Sequence, residues 1–248
     1  MAEQKIQAVL FDIGETLLVF GRVDAVALFK KGGKLAYDFL EKLNQPVGPF
    51  RFFLFGHLII IRLLSIWSNI IKRDFDSSEI LRKIEQYNGV KLTEAQWEDF
   101  AWCWYEPLSK LTQIEPDIKE TLGKLKQAGV KLGLLSNTFI NASTLERHLR
   151  QLGILDFFDV RVYSYQFKFR KPDPRIFINA AKQTNCQPEN VLFVGDRLDW
   201  DTAGALEANM TAVLKKAYTN TNKDIPQNVI KIERLGELPN IVEEINSH

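Results

Sequence analysis

The stretch Val9-Leu10-Phe11-Asp12-Ile13-Gly14-Glu15-Thr16-Leu17 decides the fold: an apolar run that stops at an acidic residue and a turn. Ile6 to Phe11 reads as a buried strand, with Asp12 at its end. Comparable aliphatic runs recur at Val130 to Leu135, Asp159 to Tyr163, Val191 to Val194 and Thr211 to Leu214, separated by segments of helical period. Strands apolar on both faces suit a mostly parallel sheet covered by helices on each side. Right-handed crossovers then favour a doubly wound, Rossmann-like α/β layer sandwich. The helices are punctuated accordingly. Pro116 opens one that Gly129 closes, Asn141 or Ser143 starts another that Gly153 closes, and Pro174 begins a third. After Lys215 the pattern gives a loop, a short strand near Val229 to Ile232 and a last helix ending at Ile245.

Working outward, strand signals vanish between residues 20 and 112. Helical segments replace them at Ala25 to Leu43, Phe50 to Arg73, Ser77 to Asn88 and Thr93 to Tyr105. The expected organisation is an α/β core formed by residues 1–20 and 112–248, with an all-helical cap subdomain over residues 21–111 inserted after the first strand. From Phe50 to Ile71, fifteen of 22 residues are large and apolar, and residues 47–73 hold Arg51, Arg62, Lys72 and Arg73 but no acid. Arg62 in the middle of the run argues against a transmembrane span, and Arg62, Ser65, Asn69 and Arg73 mark a polar stripe. The expectation is a helix buried in the cap or at a homodimer contact. Membrane-surface contact and a basic wall for an anionic substrate are the alternatives. Trp97, Trp102, Trp104 and Tyr105 read as cap core, and His57 and His148 have no partner at metal-ligand spacing.

Bulk properties narrow the function. With 32 basic and 31 acidic side chains the net charge is +1, which leaves no electrostatic footprint for nucleic acid. Two cysteines, Cys103 and Cys186, lack C-x-x-C spacing and point to a reducing, cytoplasmic setting. The N-terminal residues are too polar for a secretory signal. Function must come from a site.

Three strands end in polar residues: Phe11-Asp12, Leu135-Ser136-Asn137 and Val194-Gly195-Asp196. Arg170-Lys171-Pro172-Asp173-Pro174 opens a helix between the last two. Each strand-end Asp alone reads as a cap or turn former. In an open parallel sheet, however, the carboxyl ends of the strands form the ligand crevice. Asp196 and Asp201 are five apart, so one suits the strand end and the other the following turn, with a helix N-cap the plain alternative for Asp201.

These stretches occur in the order of the four motifs of the haloacid dehalogenase superfamily and resemble them. Val9 to Leu17 resembles the first motif, Leu134-Leu135-Ser136-Asn137 the second, Arg170 to Phe177 the third, and Val194-Gly195-Asp196 to Asp201 the fourth. The resemblance implies an aspartate-nucleophile hydrolase whose substrate is a small phosphorylated metabolite. Asp12 would be the nucleophile, Ser136 and Lys171 catalytic groups, and Ser136, Asn137 and Lys171 the phosphate site. The chemistry fits the residues, because an aspartate can attack phosphorus while cations offset the phosphoryl charge. Asp12, Asp196 and Asp201, with the Gly14 carbonyl, are the expected Mg²⁺ ligands.

One departure matters. Phosphatases resembling this pattern carry a second aspartate two residues after the nucleophile, where this chain has Gly14. Acid–base assistance worth about 10²–10⁴-fold would be lost there. Glu15 could replace it, although the plainer expectation for Glu15 is a solvent-facing or salt-bridged side chain. Gly14 could also answer to a positive φ. A metal-independent dehalogenase and a low-turnover binding protein are the competing functions. The fourth-motif aspartates favour the metal-dependent phosphatase.

Overall fold

The structure, a computed structural model, describes residues 5–247, so the expectations touching Met1 to Gln4 and His248 lie outside the described residues. Six strands form one sheet: β1 (Ala8–Phe11), β2 (Lys131–Ser136), β3 (Val160–Tyr163), β4 (Val191–Gly195), β5 (Thr211–Lys215) and β6 (Ile230–Ile232). Their order is β3-β2-β1-β4-β5-β6, and every pairing is parallel. The sheet is thus the expected doubly wound one, and the chain reverses direction across it at β1.

Alternation of side chains along the strands builds two cores. Val9, Phe11, Leu132, Leu134 and Val194 face α5 (Ile118–Gln127), α6 (Ala142–Gln151) and α9 (Leu238–Ser247). Ala8, Leu10, Leu135 and Phe193 face α7 (Pro174–Gln183) and α8 (Ala203–Glu207). The caps follow the sequence. Asn141 accepts from the Thr144 N–H, Asp173 caps α7 just before Pro174, and Gly129 and Gly153 take φ of 80° and 70°.

Between β1 and α5 lie four helices: α1 (Ala25–Lys42), α2 (Phe50–Ile71), α3 (Ser77–Tyr87) and α4 (Glu94–Ser109). They enclose a core of their own around Ala36, Tyr37, Leu40, Leu81, Trp97 and Phe100. A Thr93–Gln96 capping box starts α4. The helix runs four residues past its expected end and includes Pro107, since a proline in the last turn forfeits only one backbone bond. Trp102 and Tyr105 turn away from the insertion's core and join the sheet's core instead.

Of the expected places for α2, burial inside the helical insertion is corrected. Only Phe53, His57 and Ser68 of its 22 residues are buried. The apolar run is wide enough to cover more than one side of the helix, and the helical insertion is deep enough to bury only one.

Candidate active site

Asp12, Ser136 and Asp196 follow directly from sheet register. Phe11 pairs with Leu134 on one side and Val194 on the other, so the residues that follow emerge together at the carboxyl edge of β2, β1 and β4. Asp201 arrives from the turn after β4, a π-helical segment Leu198–Thr202. Rather than capping a helix, its Oδ2 accepts from the backbone N–H groups of Asp196 and Arg197 at 3.1 and 2.9 Å. Gly195 makes room for this: a Cβ there would lie 2.4 Å from the Asp201 carboxylate.

The carboxylates of Asp12, Asp196 and Asp201 are buried, with ligand oxygens within 4.8 Å of one another. Lys171 enters from the loop before α7, and its Nζ lies 2.8 Å from Asp12 Oδ1 and 2.6 Å from Asp201 Oδ1. Burial pushes the Asp12 carboxyl up to about 6; Lys171 opposes the rise and Asp201 adds to it. Burial likewise lifts Asp196 to about 7, with Asp12 and Asp201 repelling its charge and Thr219 partly offsetting them. Burial also works against the charge on Lys171, but the two aspartates outweigh it and hold the ammonium above its ordinary range. Three buried carboxylates facing one ammonium leave an excess of negative charge, and hard oxygen donors at this spacing fit a divalent cation such as Mg²⁺.

Asn137 lines the same crevice as Asp12 and Ser136. Its side-chain amide donates to the Lys171 carbonyl at 2.8 Å and accepts from the Lys171 N–H at 2.9 Å, fixing the lysine's backbone. Sequence spacing missed Thr219 and Asn220, which donate to the Asp196 carboxylate and carbonyl from the loop after β5. It missed Asp74 as well, in the turn after α2. This buried carboxylate accepts from Arg170 and Ser164 and ties the insertion to the residue preceding Lys171. An Arg-Asp-Phe-Asp turn in a polar linker carries no local signal of such a role.

Two expectations for the first turn are corrected. Glu15 is neither solvent-facing nor salt-bridged: it is buried, and its Oε1 accepts from the N–H groups of Phe20 and Gly21 at 3.0 Å each. Glu15, not Gly14, also carries the positive φ, at 57°, while a Cβ on Gly14 would meet only Phe20, at 4.0 Å. Glycine at position 14 is therefore not a backbone requirement.

The carboxylates open into a crevice of about 450 Å³ that includes Ser136, Asn137, Arg170, Arg197, Trp200 and, from α2, Ser65 and Asn69. A second cavity of about 370 Å³ shares Ser65, Tyr105, Leu108, Phe139 and Ile140 with it and adds Phe29, Leu58 and Trp104.

A parallel sheet with three acidic residues at its central carboxyl edge and a lysine across from them defines a hydrolase of the kind the motifs resembled. The haloacid dehalogenase-like hydrolase family matches residues 6–209, and the chain belongs to that family. Glyceraldehyde 3-phosphate phosphatase of Methanopyrus kandleri is 35% identical over 182 residues, covering 70% of this chain and 72% of that one. A haloacid dehalogenase-type phosphatase of Thermococcus onnurineus superposes with a TM-score of 0.58 at 25% identity, covering 96% and 98% of the two chains. A 2-haloacid dehalogenase of Pseudomonas syringae shares the fold, with a TM-score of 0.62 at 23% identity over 97% and 99%.

Proposed function

We propose that the protein is a Mg²⁺-dependent phosphatase of a small phosphorylated metabolite, with Asp12 as nucleophile and residues 21–111 as its cap. The observation that carries this reading is the triad of buried carboxylates within 4.8 Å, with Lys171 bridging Asp12 and Asp201. Displacing halide from carbon needs no metal-binding group of carboxylates, so the geometry favours the phosphatase over a metal-independent dehalogenase.

An Asp12 oxygen attacks phosphorus, the bond to the ester oxygen breaks, and the leaving oxygen departs with its electron pair. Lys171 restrains Asp12 and offsets charge on the equatorial oxygens, and Ser136 supplies a hydroxyl at the same edge. Asn137 keeps Lys171 in register. Water then hydrolyses the aspartyl-phosphate, restoring Asp12 and releasing phosphate. Asp12, Asp196, Asp201 and the Gly14 carbonyl would hold Mg²⁺, which supplies electrostatic stabilisation of the phosphoryl group.

No carboxylic acid stands two residues beyond the nucleophile, and the Glu15 oxygen nearest the turn is committed to two backbone donors. The leaving oxygen must therefore be a stable anion or take its proton from solvent or substrate. This supports aryl or acyl phosphates as better substrates than alkyl ones, and the apolar cavity beside the crevice offers room for such a leaving group. Glyceraldehyde 3-phosphate, named for the Methanopyrus protein, is the alkyl ester to test first. A phosphoester panel with and without Mg²⁺, run beside Asp12→Asn, tests the reading. Phosphate release that needs both Asp12 and the metal supports it, release in excess chelator favours dehalogenase-like chemistry, and no release from any ester favours a binding protein.

A further inference from the structure

We propose that the outer face of α2 docks on a membrane surface containing anionic lipid. Phe52, Phe55, Ile59, Leu63, Ile66, Trp67 and Ile70 are 41–72% exposed, and they recur at three or four residues along one side of the helix. The ridge is about 27 Å long at 1.5 Å per residue. Scattered exposed apolar residues are ordinary, but a continuous ridge of seven is the mark of a surface that something covers.

Charge selects the occupant. Arg51, Arg62, Lys72 and Arg73 are exposed along or at the ends of this helix, none is in an ion pair among the described residues, and residues 47–73 hold no acid. A basic flank beside a Phe, Leu and Trp face is the composition of a helix that lies in the headgroup region and draws on anionic lipid. A second copy is disfavoured by the same charges. Twofold pairing along the helix would bring Arg62 against Arg62, and an antiparallel pair would set Arg51 against Lys72 and Arg73.

Length and composition alone would let α2 cross a bilayer. Its other side is already occupied. Phe53 meets Tyr37 edge to face and stacks on Trp104, and Ser68 and Asn69 accept from Arg170 of the core. A helix bound in this way lies on a membrane rather than through it.

Full-length protein is floated with vesicles of phosphatidylcholine alone and of phosphatidylcholine with phosphatidylserine, at low and raised salt. Recovery with the anionic vesicles, weakened by salt, is expected. The double variant Leu63→Asp/Ile66→Asp should lower it at least about tenfold, and Arg51→Gln or Lys72→Gln roughly fivefold each. Neither Leu63 nor Ile66 lines the crevice, so hydrolysis of a soluble ester by the aspartate variant should be unchanged. The proposal is overturned if the wild-type protein fails to float, if it floats equally well with phosphatidylcholine alone, or if it is a dimer that the aspartate variant splits. Should that variant misfold by circular dichroism, the lipid-charge and salt dependence of the wild-type protein decides.

Discussion

The sheet core and the helical insertion use apolar residues to opposite ends. In the core, β1, β2 and β4 are buried almost entirely, and the charged groups Asp12, Lys171, Asp196 and Asp201 at their edge are held by one another and by backbone donors. In the insertion, eight buried residues make a small core, while α2 turns most of its apolar surface outward. The difference separates tasks. Chemistry needs groups fixed to within fractions of an ångström, which a parallel sheet covered on both faces provides. Selection of a ligand or a surface tolerates a thinner layer that shifts at lower cost. Polar seams join the regions, among them Arg170 with Asp74 beside the crevice and Tyr105 with His148 beneath α4.

The most forceful way to break the comparison is to alter the core without unfolding it. Asp12→Asn preserves shape but cannot form an acyl-phosphate, so turnover should fall by at least about 10³-fold with little change in the urea midpoint. Equal turnover in both chains would remove Asp12 from the mechanism. Next come the buried ion pairs. Lys171→Met strands Asp12 and Asp201, and Asp74→Ala strands Arg170, so each should cost about 3–5 kcal/mol in urea unfolding. If Asp74→Ala costs as little as an exposed pair such as Lys34–Asp38, the seam holds nothing.

Much of this arrangement was legible in the sequence because strands and their polar ends are local signals. Asp12, Ser136, Asp196 and Asp201 lie at or just beyond the ends of short apolar runs, and a parallel sheet brings such ends together whatever the intervening length. Asp74, Thr219 and His148 were not legible in the same way. Their partners lie 96, 23 and 43 residues away in loops or helices whose docking no period encodes. For Glu15 the obstacle was backbone conformation: its side chain turns inward because the chain passes through a left-handed φ that residue type did not announce. For α2 the composition was plain, but which side met the rest of the insertion was not.

A third test sharpens the contrast at the first turn. Gly14 has ordinary backbone φ and open space at its Cβ position, so Gly14→Asp should fold and should place a proton donor near the leaving oxygen. Alkyl phosphates should then gain up to about 10²-fold in kcat/KM, and aryl phosphates much less. An unchanged dependence on leaving-group pKa in a folded variant would mean that another group already supplies the proton.

The smallest expected effect lies at the seam beneath α4. Burial holds His148 down at about 4, and its Nδ1 lies within hydrogen-bond distance of the Tyr105 hydroxyl at 2.9 Å, while burial raises the Tyr105 hydroxyl and keeps it protonated. The unfolded chain binds a proton at His148 near pH 6.5, whereas the folded chain binds one only near 4. Between those values the unfolded state carries more protons, so stability rises with pH across the window and is lost as pH falls through it. The contribution is complete above pH about 6.5 and on the order of 1–3 kcal/mol. His148→Asn keeps an acceptor near the Nδ1 position and cannot titrate. Urea midpoints of the two chains should therefore converge as pH falls from 7 toward 4.5, with the carboxylates they share cancelling in the difference. Parallel curves over that range would show that His148 is already solvated, and that the core's grip on α4 rests on Trp102 and the exposed Arg147–Asp99 pair instead.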